Sequence, residues 1–548
     1  MTTPTTDPMR NDNSNENVSP SNSNIQLLKV IPAGFLAFTI IPIVNAANWE
    51  FVPSISVNQT YSDNINLGSG KPSTSSREDE TGCLVSQINP GLSIGPRGEP
   101  GRVKFNFNIR SQNIIDAGCK RGGGSSFLQQ EANLLAEVIK QSIFLEVKTS
   151  ISQQNGSNTG RIQGDNLADT GNRIKVRTYS VSPYWTPHIG NYADGEVRFR
   201  YGNVDTSGGN NVNTSQISDS QTYQESVHLE NGSRFTVLFW NLDFNNEKQQ
   251  RDGSGGSVRF RQYQGEIGAR LTREITVFAQ GGNADNDFRS VTNSNQNGAF
   301  YSIGGGWTPS PLFSIRAAGG NNSFVTVDMN PSRRTTIQGS FFNNNVGTNT
   351  GGRFQLSLEH QTRRTVWGAR YFEDTTTSQD ILANQQVFAV VDAFGNPILN
   401  PVSGQPNTIT VDVPTLTDEV LVRKRSEASF TGRTALSTVS LRVYNENRHF
   451  QESDDKDDVL GADGSWNWRL GKRTSSNVRA RWQKTNANNS GSGGRSDNEF
   501  TQIAVGVNRS LSRYFTANLE YQFQKQNSDN PLDEYDENRV TASLNFRY

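Results

Sequence analysis

The chain has 548 residues, with 52 Lys plus Arg against 53 Asp plus Glu, a formal net charge of -1 and a mean hydropathy of -0.65. The balanced charge gives no reason to expect nucleic acid as a partner. The low hydropathy does not exclude membrane strands, because half of each such strand faces water and the loops are polar.

Met1 to Gln26 is polar and leads to Lys29, the apolar run Val30–Val44 and a small-residue site, Val44-Asn45-Ala46, before Ala47. This is a signal-peptide layout with cleavage after Ala46, and Met9 followed by Arg10 offers an alternative start. A helical anchor is disfavoured: the run is short, holds Pro32 and Pro42, and strand-like sequence follows at once. The expected organisation is a leader over 1–46 and one domain over 47–548, with no other segment able to span a bilayer as a helix.

From Trp49 onward, strand-like stretches alternate with two kinds of connection. Short ones include Gly95–Gly101, Lys140–Ser142, Thr186–Gly190, Pro309–Pro311 and Leu511–Arg513. Long polar ones fall between them: Ser62–Gly82, Gly118–Ser125, Asn155–Thr170, Asp285–Asn297, Ser323–Gly352, Thr375–Lys424 and Asn527–Glu537 among others. Outer-membrane barrels have short periplasmic turns and long outer loops, and the two classes alternate here without conflict. The sequence therefore predicts an all-β fold, a single antiparallel transmembrane β-barrel of about 22 strands, within a range of roughly 18–24.

The strands show two chemical faces. Val103, Phe105, Phe107 and Ile109 oppose Lys104, Asn106, Asn108 and Arg110, and Val478, Ala480 and Trp482 oppose Arg479, Arg481 and Gln483. The last strand alternates without a miss: Val540, Ala542, Leu544, Phe546 and Tyr548 against Arg539, Thr541, Ser543, Asn545 and Arg547. A charge facing lipid at mid-membrane costs ~2–4 kcal/mol, so the apolar row is expected outside and the charged row inside. The predicted lumen row includes Glu146, Lys148, Glu196, Arg198, Arg200, Glu359, Arg442, Arg479, Arg481 and Glu520. Its mixed signs argue against a single-ion filter. Aromatics near strand ends, such as Tyr184 with Trp185, Trp466 with Trp468, Tyr514 with Phe515 and Tyr371 with Phe372, fit interfacial girdles. Strand-like sequence so soon after Ala46 leaves no separate plug domain, so the lumen is open, or flattened, or filled by an inward loop such as Thr375–Lys424.

Chemistry-bearing motifs are scarce. There is no G-x-S-x-G, no H-E-x-x-H and no phosphate-binding glycine loop in a strand-to-helix context. Of the four histidines, His188, His228 and His360 fall near the inner ends of strands. Only His449 lies at the outer rim, with Glu446, Glu452 and Asp454 near in sequence. A solvated loop histidine is the expected reading, and no catalytic residue, cofactor or metal ligand is assigned. Two acidic runs, Glu452–Asp458 and Asp529–Glu537, lack calcium-loop spacing and read as solvated loop charge, with divalent-cation binding as the alternative. Cys83 and Cys119, the only cysteines, are a disulfide candidate between outer loops, with two unpaired thiols as the alternative.

Trp49–Leu67 (WEFVPSISVNQTYSDNINL), Val85–Ile94, Asn172–Trp185, His188–Asp205 and Ser357–Asp374 resemble segments of one family: the outer-membrane proteins associated with the PEP-CTERM/exosortase system of exopolysaccharide-producing Gram-negative bacteria. Ile189 stands where that pattern has Phe, and Ser323–Gly352 reads as an insertion. The resemblance implies an outer-membrane location and an exopolysaccharide or protein-sorting context rather than a reaction. The expected function is a non-enzymatic conduit or export accessory. The expected partners are the outer membrane with its lipopolysaccharide, the barrel-assembly machinery through the C-terminal strand, and exopolysaccharide or its export apparatus. Two alternatives are an adhesive barrel that binds polysaccharide or lipopolysaccharide through its outer loops, and a rim enzyme.

Overall fold

The computed structural model describes residues 49–69, 82–96, 103–116, 126–157, 160–164, 167–168, 172–208, 217–252, 256–290, 296–384, 416–488 and 496–548. The leader assigned to 1–46, its cleavage site and Cys119 lie outside these residues. The barrel unit runs from Trp49 to Tyr548.

Each long strand pairs antiparallel with its neighbour in the chain, from Trp49–Ser62 to Tyr535–Arg547. The last then pairs back onto the first, with Val57 opposite Leu544 and Tyr61 opposite Val540. Closure matters because no strand edge is left with unpaired backbone groups, which hydrocarbon would not tolerate. Of 25 strands, one, His188–Ile189, is a two-residue clip onto Ala193–Gly208, so the wall has 25 − 1 = 24 strands. The count is even, as expected, but two above the 22 inferred from connection lengths. The difference is one hairpin, Asn322–Ser332 with Thr335–Asn344, inside the segment read as a long outer insertion. Its outer connection to the preceding strand, Phe313–Gly320, is a tight turn at Asn321. The rule that outer connections are long concealed both strands.

The wall is inside-out relative to a soluble barrel. Large apolar side chains stay exposed on one face: Ile55, Val57, Leu441 (51%), Val443 (53%), Ile503, Val505, Leu519, Val540 and Leu544. The intervening positions carry buried polar groups, including Ser56, Asn58, Thr60, Gln87, Asn477, Asn518, Glu520, Gln524 and Arg539. A 14-residue strand such as Ser437–Phe450 rises roughly 45 Å along its own axis, enough to cross a core ~30 Å thick at a ~40° tilt with residues to spare. The surplus extends the wall above the membrane on the outer side.

Tryptophans mark the inner edge. Trp49, Trp185, Trp307, Trp367, Trp466 and Trp468 all sit at inner strand ends with exposed rings, and Trp466 stacks on Trp468 at 5.7 Å. Rings with one polar edge suit the headgroup level. Of the expected girdle pairs, Tyr371 with Phe372 falls elsewhere, and of Tyr184 with Trp185 only Trp185 joins the girdle. Tyr371 and Phe372 lie mid-strand in Thr365–Thr377, and Phe372 lies under the guanidinium of Arg423. Tyr184 likewise lies on the inner face, 4.0 Å beneath Arg198.

Candidate functional site

The inner wall carries charge as matched pairs. Arg198 donates to Glu196 at 2.8 Å and to Glu146 at 3.2 Å, and Lys148 also pairs with Glu146. Arg479 meets Glu520 at 2.6 Å. Arg442 donates to Asp463 at 3.1 Å, and Arg481 approaches the same carboxylate at 3.8 Å. Arg200 lies on the same row as Arg198, and Glu359 has no ion partner among the described residues. Pairs not expected from sequence extend the pattern: Arg423 with Asp374 at 2.8 Å, Arg316 with Glu266 at 2.9 Å, and Glu446 held between Arg425 and Arg448, each at 2.6 Å. Glu446 and Arg448 are fully buried, 0% and 1% exposed. Cross-strand neighbours of opposite sign sit ~5 Å apart at Cβ, which is why alternating strands with mixed charges resolve into bridges.

At the outer end the inner row turns apolar and the long loops dock on it. After the strand Thr365–Thr377 the chain forms the helix Ser378–Asn384, which carries Leu382. Leu382 and Leu416 pack with Ile174, Val176, Val204 and Ile217, all buried. The first three belong to the strands Arg173–Trp185 and Ala193–Gly208. Counted around the wall, Thr365–Thr377 is the seventeenth of 24 strands and Ala193–Gly208 the seventh, 17 − 7 = 10 strands apart and nearly opposite. A round barrel of this size would be ~45–50 Å across, whereas a helix with its side chains is ~10–12 Å wide. The helix touches both walls, so the barrel is drawn together at its outer mouth.

Polar contacts fasten the closure. Asp418 accepts from the Ser218 backbone N–H at 2.8 Å and from the Gln379 amide at 2.6 Å, and Arg251 donates to its carbonyl. A second closure comes from the loop after Ile143–Asn155. Ile162 and Ala168 pack with Leu67, Phe500 and Tyr535, and the Ile162 N–H donates to Gln526 at 2.8 Å. A third joins Val258 to Phe288 and Val420. The inward fold of Thr375–Lys424 is thus realised in its described parts, and the loops after Ile143–Asn155 and Ile275–Ala284, the fifth and eleventh strands of the wall, join it.

The histidines are each tied locally. His188 pairs with Asp194, His228 with Asp243 at 2.6 Å, and His360 with the Thr335 hydroxyl at 2.8 Å. His449 meets Asp454 at 2.6 Å across the turn at 451–455. Glu446 does not join it, being committed to arginines on the opposite face, and Glu452 pairs with Arg289 at 3.0 Å. The His449 hydrogen bond holds the Asp454 carboxyl below its ordinary range. Asp533, in the last outer loop, is pushed up by burial, against the pull of Arg161. The acidic runs are not uniformly solvated loop charge. Asp457 is fully buried, and Glu537 accepts from Arg539 at 2.7 Å and Gln524 at 2.6 Å. Their strands continue past the membrane into the mouth, which turns these carboxylates into wall. No group of three or more metal-ligating side chains is assembled among the described residues. Cys83 is buried beside Val85, Ile114 and Leu167 and is disulfide-bonded.

An oily band outside and a wet, ionic wall inside is what a bilayer requires of a closed barrel. The protein is an outer-membrane β-barrel. No family model and no curated protein matches the chain. Among solved structures, it is similar to the siderophore receptor PirA from Pseudomonas aeruginosa at 12% identity, over 91% of this chain and 80% of that one, with a TM-score of 0.39. The FrpB iron transporter from Neisseria meningitidis aligns at 9% identity over 92% and 83%, with a TM-score of 0.44. A loop-deletion mutant of OmpT, an outer membrane protein of Vibrio cholerae, aligns at 8% over 92% and 100%, with a TM-score of 0.29. None of these likenesses bears on what this chain carries or binds.

Proposed function

We propose that this protein is a gated conduit of the outer membrane, acting as an export accessory for exopolysaccharide or sorted proteins in an exosortase-type envelope system. One observation carries the conduit reading: a polar, ion-paired wall surrounds a lumen, and at its outer mouth the described segments of the barrel's own loops pack across onto the wall. A wall built only to be stable would gain nothing from charge on its inner row, since buried ion pairs are weak sources of stability. Paired charges do keep a lumen hydrated without giving it one sign. The loop closures rest on small apolar clusters and a few hydrogen bonds, an arrangement that can open without breaking the wall. The envelope context rests on the resemblance of segments such as Trp49–Leu67 and Ser357–Asp374. The reading involves no catalytic step.

Planar-bilayer recording tests the conduit. The full-length protein is expected to show a mainly closed state with brief openings, and Leu382→Asp with Leu416→Asp is expected to hold it open. Absence of ion current from both proteins, with each shown to be folded by heat-modifiable gel migration, would overturn the reading.

A further inference from the structure

Charge along the inner wall is not evenly mixed: many arginines at mid-wall meet carboxylates, whereas Arg469, Arg513 and Arg547, in one sector of the inner mouth, have no carboxylate partner among the described residues. There a cleft of about 570 Å³ lies between the ends of the first strands and those of the last seven. Among the described residues that line it, five are arginines, Arg110, Arg433, Arg469, Arg513 and Arg547, and none is Asp or Glu. Arg433, Arg469 and Arg547 each end a strand, and Arg513 sits in the turn before Phe515–Ser528. Arg469 donates to the Ala435 carbonyl at 2.8 Å, and Arg513 lies 4.5 Å from the Tyr514 ring centre. A carbonyl and a ring face orient a guanidinium without cancelling its charge. The rest of the lining is rich in hydroxyls and amides, including Ser475, Asn508, Ser510 and Asn545, with the ring of Tyr514 beside them.

We propose that this cleft is a docking site for an anionic glycan, a polymer of sugars bearing carboxylate, sulfate or phosphate groups, presented from the side of the short turns. Guanidinium forks suit the planar or tetrahedral anionic groups. Hydroxyls and amides suit sugar hydroxyls, and an aromatic ring suits the apolar face of a sugar. A protein or lipid anion would leave most of that hydroxyl and amide lining unmatched. The inference rests on the conduit reading only for why such a site faces the lumen. The binding itself does not depend on whether the barrel conducts.

The test is therefore a binding experiment on the full-length protein in detergent. Fluorescein-labelled dextran sulfate is titrated and followed by anisotropy, with labelled neutral dextran of equal length as the control. Dextran sulfate is expected to bind, and to bind more weakly as salt rises. Neutral dextran is expected to bind at least tenfold more weakly. Arg469→Gln with Arg513→Gln, both exposed, is expected to weaken binding about tenfold while heat-modifiable migration stays unchanged. Arg333→Gln with Arg334→Gln removes the same charge from an inner turn outside the cleft and is expected to change binding less than twofold. Equal loss in both double variants, or no loss in the first, would overturn the site. Equal binding of neutral dextran would overturn the anion preference. Bilayer current, measured separately, can fail without touching any of these outcomes.

Discussion

Leu382 is the residue on which the closure of the outer mouth can be tested most sharply. It is 2% exposed, on a helix of only seven residues, and is surrounded by Ile174, Val176 and Val204 of the opposite wall, Ile217 of the loop that follows it, and Leu416 at the far end of the helix's own connection. Truncation to alanine removes the contact but leaves the helix free to form. Buried Leu→Ala changes cost ~2–5 kcal/mol, and here the cost falls on docking rather than on the wall, since the strand ladders are untouched. At ~1.4 kcal/mol per decade, the closed-to-open ratio should fall by roughly 30-fold to several thousand-fold. A mouth open for a fraction of a per cent of the time would become open for a large share of it. Single-channel recording in planar bilayers reads this directly as open probability. Leu436→Ala, at an exposed position in an inner turn, is the matched control and is expected to leave it unchanged. If Leu382→Ala folds, keeps wild-type heat-modifiable migration and shows an unaltered open probability, the helix is not holding the mouth shut.

Three further outcomes follow from the wall. Glu446→Gln leaves Arg425 and Arg448 buried without their shared counter-charge, so stability in urea titrations should drop by ~3–5 kcal/mol. Val443→Arg, midway along Ser437–Phe450 on the oily face, should cost ~2–4 kcal/mol in lipid vesicles. Ser440→Arg, on the inner face of the same strand, should cost much less. At the turn bearing His449, the Asp454 carboxyl titrates below its ordinary value of 3.8. Its contribution is therefore fully present above that pH and is lost as pH falls through the lower folded value. Amide exchange at Phe450, whose N–H donates to the Asp455 carbonyl at 2.9 Å, should accelerate only in that acid range. Acceleration near neutrality instead would contradict the assignment.

The period of two carried most of the fold. It named the outward face of Val540 and Leu544 and the inward one of Arg442, and the alternation of connections gave antiparallel order. The hairpin at 322–344 was missed because Asn321 makes an outer turn as tight as an inner one, so loop length lost its meaning there. The closed mouth was only partly legible. Residues such as Ile174, Val176, Val204 and Phe500 break the polar inner row at outer strand ends, a local reversal that marks where a loop docks. Which loop reaches which wall depends on pairings across ten strands, and no local pattern carries that. The inner arginine cleft was invisible for a similar reason. Arg433, Arg469, Arg513 and Arg547 are spread over more than a hundred residues, and only closure of the wall gathers them.

Every role of the wall depends on which row of each strand meets lipid. Spin labels placed singly at residues 439–444 and measured in vesicles for collision with molecular oxygen and with a water-soluble nickel chelate test this directly. Residues 439, 441 and 443 should favour oxygen, and 440, 442 and 444 the chelate, in strict alternation. The opposite phase, or no alternation at all, would contradict the barrel's orientation and every role drawn from its lumen.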